Sequence, residues 1–236
     1  MIGRNLINNR LLALACIVFV LLVLAACNDG GTSPTAREPV ITECDATSVM
    51  EDGVCRTFAA LVSERIATPF THLGEAVSLE VVLFKPLVDG RHPTIVFHHG
   101  STGNGSDPSR FGLTFTSKSI ARYFVERGWM VAFPQRRGRG QSDGLYDEGF
   151  TPDRSGYSCE ADLALRGAAH ALEDLDVITD WLRNRMDVDT TRLLIGGTSR
   201  GGILAVAHTA QRPDVYRAAI NFVGGWIAEG CGDHRT

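Results

Sequence analysis

One segment constrains this chain more than any other: Leu193-Leu194-Ile195-Gly196-Gly197-Thr198-Ser199-Arg200-Gly201-Gly202. An apolar run of strand character meets G-x-S-x-G, from Gly197 to Gly201, and a helical pattern over 200–211 follows at once. A sharp strand-to-helix turn brings backbone close to backbone, so glycines two residues either side of the serine are what it requires. The chemistry gives the spacing a purpose. A serine hydroxyl is a poor nucleophile and must be lifted to where a base can take its proton. The helix that begins there points its N-terminal amides toward the place where negative charge would develop. Ser199 is the candidate nucleophile, and Gly197 and Gly201 the glycines that shape its turn. The bland alternative is a glycine-rich strand end that only turns the chain.

The rest of the chain supplies a context of alternating strands and helices. Val77 to Phe84 is rich in β-formers, Thr94 to Phe97 is a short apolar run, and Trp129 to Phe133 is another. Ser117 to Arg127 places Ile120, Ala121 and Phe124 on one helical face, with Gly128 as its stop signal. Glu160 to Arg185 is the clearest helix, its Leu165, Ala168, Leu172, Leu175 and Leu182 recurring near helical spacing. Ala218 to Val223 reads as one more strand. Short apolar strands alternating with amphipathic helices predict a mostly parallel, doubly wound α/β sheet covered on both faces.

Two further motifs follow apolar strands. His98-His99-Gly100-Ser101 comes after the 94–97 run, and Gln135-Arg136-Arg137-Gly138-Arg139-Gly140-Gln141-Ser142-Asp143-Gly144 after the 129–133 run. With the serine turn, these resemble the α/β-hydrolase superfamily, in its dienelactone-hydrolase and prolyl-oligopeptidase-like branch. The resemblance covers roughly residues 75–230. It implies acyl hydrolysis of an ester, lactone or peptide through Ser199, without a cofactor. The backbone amides of Ser101 and Arg200 would form the oxyanion hole. Metal binding by His98 and His99 is the weaker alternative, because adjacent side chains at a strand end point apart and no third ligand suggests itself. Arg136, Arg137 and Arg139 could grip a substrate carboxylate, but the favoured reading has them holding neighbouring carbonyls and acids. No Lys-Ser/Thr pair follows the glycines, so this is not a phosphate-cradling loop.

The resemblance also implies an acid and a histidine after later strands, and here the pattern breaks. His208 sits nine residues along the helix after Ser199 and reads as a surface or packing residue. Asp214 falls in the turn before the next strand, and Asp233 and His234 stand at the very end. None is a convincing triad member. The expectation is an α/β-hydrolase sheet lacking its C-terminal strands, a fragment without enzyme-like turnover. Two rival readings stand beside it: a non-catalytic lipoprotein that uses the same scaffold for binding, and a truncated product that does not fold stably.

The N-terminus sets location. Arg4 and Arg10 precede an apolar run, Leu11 to Ala26, too short for a comfortable membrane span. It ends in Leu24-Ala25-Ala26-Cys27, which resembles the bacterial lipobox. Residues 1–26 then read as a lipoprotein signal, Cys27 as the lipidated residue, and 27–40 as a polar tether. The expected product is an exported protein anchored to the membrane by lipid. Residues 41–74 form an N-terminal extension, and 75–236 the partial hydrolase domain. Cys44, Cys55, Cys159 and Cys231 remain, an even number suited to an oxidising compartment. No metal-ligand spacing is present, so disulfides are expected and no metal site: Cys44–Cys55 closes a short local loop, and Cys159, before the long helix, pairs with Cys231, after the last strand, both near the end of the sheet that carries Ser199. Net charge is -4, which excludes the basic footprint of a nucleic-acid binder.

Overall fold

The computed structural model describes residues 43–227 and Cys231. The readings on residues 1–42, including Cys27, and on Asp233 and His234 lie outside the described residues. Among the described residues no helix is long and apolar enough to cross a membrane.

The chain opens with a hairpin, β1 (Ser48–Glu51) and β2 (Val54–Thr57), closed by Asp52 and Gly53 at φ 50° and 77°. Two successive positive φ angles give the turn a twist that suits a two-residue hairpin loop. The Cys44–Cys55 disulfide closes across it, with Cα atoms 5.5 Å apart. The six-stranded sheet follows: β3 (Ala60–His72), β4 (Glu75–Lys85), β5 (His92–His98), β6 (Met130–Pro134), β7 (Val188–Thr198) and β8 (Ala218–Phe222). Their spatial order is β3-β4-β6-β5-β7-β8. β4 runs antiparallel to both neighbours, whereas β6, β5, β7 and β8 are mutually parallel. This is the expected α/β-hydrolase sheet. It reaches back to Ala60, ahead of the boundary expected at residue 75. β3 was hidden in the sequence because it is an edge strand interrupted by Pro69, which falls inside a register shift between Ala67 and Thr71.

The strand alternation divides the core. Leu79, Val81 and Leu83 of β4, Val96 of β5, and Met130 and Ala132 of β6 face one side. There they meet Leu175, Ile178 and Leu182 of the long helix α3 (Ala161–Arg183) and Leu204 and Ala205 of α4 (Arg200–Gln211). Val82, Phe84, Ile95, Phe97, Val131 and Phe133 face the other side, against Ala121 and Val125 of α2 (Lys118–Val125). A short α1 (Pro108–Phe111) lies in the loop after β5. α2 starts as the sequence predicts: the Ser117 hydroxyl accepts the Ile120 N–H, and Gly128 follows the helix at φ 79°.

α3 differs in one respect from its expected face. Leu165 is 67% exposed, while Gly167, Ala171 and Asp174 are buried with Leu175 and Ile178. The helix turns its small residues inward, and its Leu165 side borders a separate apolar groove. Asp174 fixes α3 to the loop after β6. Its carboxylate pairs with Arg137 Nε at 2.6 Å and accepts the Arg137 backbone N–H at 2.9 Å. Arg137 also donates to Glu173 and to the His170 carbonyl, and lies 4.0 Å over the Phe70 ring.

Burial pushes the Asp174 carboxyl up from 3.8 to about 7, against the pull of Arg137. Between those values the folded state holds the proton more firmly than the unfolded chain. This group's contribution to stability is therefore full at acid pH and is lost as pH rises through about 7. Asp174→Asn keeps the shape and cannot ionise. Its melting temperature relative to the parent should rise between about pH 4.5 and about pH 7.5. A flat difference in calorimetry across that range would contradict the assignment.

Candidate active site at the turn between β7 and α4

The sheet order places the site. From β5 the chain crosses to β6, and from β7 it crosses to β8 on the opposite side. The carboxyl ends of β5 and β7 therefore flank the point where the winding reverses, the usual location for a ligand crevice in an open α/β sheet. His98-His99-Gly100-Ser101 leaves one of these ends and Ser199 stands at the other.

Ser199 has φ 52° and ψ -125°, a conformation that side-chain-bearing residues rarely hold. Its N–H donates to the Phe222 carbonyl at 3.0 Å, and its carbonyl accepts the Gly202 N–H at 2.9 Å. The flanking glycines are required by contact. A Cβ on Gly197 would lie 2.4 Å from the carbonyl of Gly201, and one on Gly201 would lie 2.4 Å from the carbonyl oxygens of His98 and His99. Gly100 packs from the other side, where a Cβ would stand 3.1 Å from that of Ser199. The structure thus brings Ser199, Gly197, Gly201, Arg200 and the Gly100-Ser101 loop together.

His98 and His99 are both buried, His99 within a defined bonding pattern. Its Nε2 accepts the Arg136 backbone N–H at 3.2 Å, which leaves Nδ1 to donate to the Gly100 carbonyl at 2.8 Å. That pattern belongs to a neutral ring, and burial, with Arg136 next, holds its pKa well below the usual histidine value. His99 therefore braces the loop, with both nitrogens occupied. Burial likewise depresses His98, whose ring nitrogens have no hydrogen-bond partner among the described residues. Among those residues no group of three or more His, Cys, Asp or Glu is arranged to hold a metal ion.

The arginine loop is anchored internally. Arg136 is fully buried, pairs with Glu148 at 2.5 Å, and donates from Nη1 to the His99 carbonyl at 3.1 Å. Arg139 is buried over the Tyr146 ring at 5.3 Å. Arg200, directly after Ser199, is sandwiched between the rings of Tyr157 at 3.4 Å and Trp226 at 4.3 Å, and donates to the Glu148 carbonyl. Glu148, Tyr157 and Trp226 were not legible as site residues. They sit in segments without regular structure, and no motif or periodicity marks them.

The other candidates lie elsewhere. His208 is a packing residue, fully buried between Asp176 at 3.1 Å and the Tyr216 hydroxyl at 3.0 Å. Asp214 stands in the turn after α4. Cys159 and Cys231 form the second disulfide, Cα atoms 5.4 Å apart, tying the start of α3 to the chain beyond β8. An apolar groove of about 470 Å³ runs between α3 and α4, bordered by Leu165, Leu172, Ile203, Ala207 and Trp226.

The mostly parallel sheet and its strand order define an α/β-hydrolase fold, with Ser199 at the strand-to-helix turn after β7. Residues 115–226 match the model of the prolyl oligopeptidase family, peptidase family S9. A curated protein named xylose isomerase, from Tetragenococcus halophilus, is 27% identical over 149 residues, 59% of this chain and 31% of that protein. Among solved structures, the α/β hydrolase GrgF from Penicillium sp. is 20% identical with a TM-score of 0.49, covering 70% of this chain and 46% of that one. Acetyl xylan esterase 1 from Thermoanaerobacterium sp. is 22% identical with a TM-score of 0.44, covering 66% and 50% respectively. The chain spans about a third of the curated relative and about half of these two structures. The family match and the sheet topology support a function of the serine-hydrolase type.

Gly197→Ala tests the turn itself. With backbone atoms 2.4 Å from the new methyl, the turn must open. The expected cost is on the order of 3 kcal/mol, read as a clear fall in melting temperature. Ala in place of Gly225, where nothing lies within 4 Å of the added Cβ, should cost far less.

Proposed function

We propose that the protein is an exported serine hydrolase that cleaves an ester, lactone or peptide acyl bond through Ser199. The observation that carries this reading is the strained backbone of Ser199, fixed between Gly197 and Gly201 at the carboxyl ends of β5 and β7. Strain of this kind costs of order 1–3 kcal/mol and persists where surrounding structure enforces it. Here it sets the hydroxyl at the head of a helix. The hydroxyl attacks the substrate carbonyl, and the amides of Ser101 and Arg200 hold the oxygen as it gains negative charge. The chemistry calls for no cofactor. Fluorophosphonate labelling of the protein expressed from its own gene should map to Ser199 and vanish in Ser199→Ala. A folded protein that takes no label would favour the binding-scaffold reading instead.

Hydrolysis also needs a base at Ser199. Of the seven histidines, six are described, and none of them hydrogen-bonds the Ser199 hydroxyl. Turnover of p-nitrophenyl acetate that is lost in Ser199→Ala and kept in His234→Ala would place the base on a group other than His234. A large rate lost in both Ser199→Ala and His234→Ala would instead assign the base to His234.

The two disulfides are compatible with an oxidising compartment. We further propose that Cys27 is the mature N-terminus and carries the lipid that holds the domain at a membrane surface. Cells fed radiolabelled palmitate should label the parent and not Cys27→Ser. Equal labelling of both would remove the lipid anchor from the reading.

A further inference from the structure

Tyr157 touches both arms of the site. Its hydroxyl accepts the Thr102 N–H at 3.2 Å, one residue beyond Ser101. Its ring stacks on the Arg200 guanidinium at 3.4 Å. These two segments, 101–102 and 199–200, carry the two amides assigned above to the oxyanion. They come from different strands and share few direct bonds, so a residue in contact with both can set their separation.

The hydrogen-bond directions along this contact are determined. Glu148 pairs as a carboxylate with Arg136, so it can only accept, and the Tyr146 hydroxyl donates to it at 3.1 Å. The Tyr146 oxygen is then the acceptor in its 2.9 Å bond with Tyr157, and Tyr157 is the donor. The chain runs from Thr102 N–H to Tyr157 O–H to Tyr146 O–H to the Glu148 carboxylate. Each bond polarises the next, and the charge at the end strengthens the series. Arg136 also donates to the His99 carbonyl, so the same ion pair braces both ends of the His99–Thr102 loop. The Phe150 ring stacks on Tyr157 at 4.4 Å and limits its movement.

From this geometry we infer that Tyr157 is a positioning residue that couples the two oxyanion amides, through Thr102 on one side and Arg200 on the other. This rests on the reading of Ser199 given above. Tyr157 is not itself an oxyanion donor, because its one hydroxyl proton is committed to Tyr146. Its contribution is to hold amides in register before the charge forms, which is where preorganised donors gain their effect.

The test separates the hydroxyl from the ring. Tyr157→Phe keeps the stacking and removes the Thr102 acceptor, whereas Tyr157→Leu removes both. Amide exchange at Thr102 should quicken by roughly tenfold or more in both variants. The Tyr157 part of the ring-current shift at the Arg200 Nε–H should be lost only in Tyr157→Leu, the part from Trp226 remaining. The fluorophosphonate reaction at Ser199 should lose roughly tenfold or more in its maximal rate in Tyr157→Phe, with its half-saturating concentration little changed. A structural role alone would lower the melting temperature without this split. If Tyr157→Phe does not fold, Tyr146→Phe breaks the same chain one link further on and should slow the reaction less. Unchanged Thr102 exchange, or quickened exchange with an unchanged maximal rate, would overturn the inference and leave the Ser199 reading intact. A parent that takes no label at Ser199 would overturn both.

Discussion

Everything at this site depends on the close approach of two backbones, the α4 helix head and the end of β5. Gly201 sits where any side chain would meet the carbonyls of His98 and His99, and Gly197 where one would meet Gly201. With both positions bare, the strand can turn into the helix within a single residue, and that residue takes left-handed angles. Ser199 bears the strain. The same contact brings Gly100 against Ser199, so the loop after β5 and the head of α4 are assembled by one packing event.

Strain at one residue persists only if its surroundings over-determine it. Here the support comes from a buried polar layer beneath the carboxyl ends of the strands. Arg136 reaches Glu148 and the His99 carbonyl, while Arg137 reaches Asp174 and Glu173. Buried ion pairs are costly to desolvate and give little net stability against an apolar core of equal volume. Their directional bonds fix relative position, which an apolar contact would leave looser. The depressed His99 belongs to this layer, since its neutral ring accepts from Arg136 and donates to Gly100.

Much of the fold was legible because burial on both faces of a parallel sheet leaves unbroken apolar runs. Thr94–Phe97 falls on β5, Trp129–Phe133 on β6 from its second residue, and the apolar Leu193–Ile195 before the serine turn within β7. β3 escaped notice because an edge strand buries little, and Pro69 at its irregularity reads as a breaker. The helix pattern of α3 gave the element and misplaced one residue of its face, since Leu165 borders a groove that periodicity cannot reveal. The serine turn was legible because tight backbone geometry demands glycine at fixed offsets. Glu148, Tyr157 and Trp226 leave no such mark. Their roles come from contacts made across long stretches of sequence, and their spacing carries no period.

Those long-range contacts converge on Arg200. Its guanidinium meets Tyr157 and the Glu148 carbonyl from the segment before α3, and Trp226 from the chain after β8. Trp226 is fixed in turn by its indole N–H to the Ala164 carbonyl at 2.7 Å, and the Cys159–Cys231 bridge ties the same two segments nearby. A stacked guanidinium is well suited to such a place. It presents two flat faces and a rim of donors, so it can join two rings and a carbonyl at once, which a lysine cannot do. Burial lowers its pKa from the usual arginine value, yet no carboxylate side chain among the described residues pairs with it directly. Its charge is met by ring faces and a backbone oxygen, with the Glu148 carboxylate acting on it from further off.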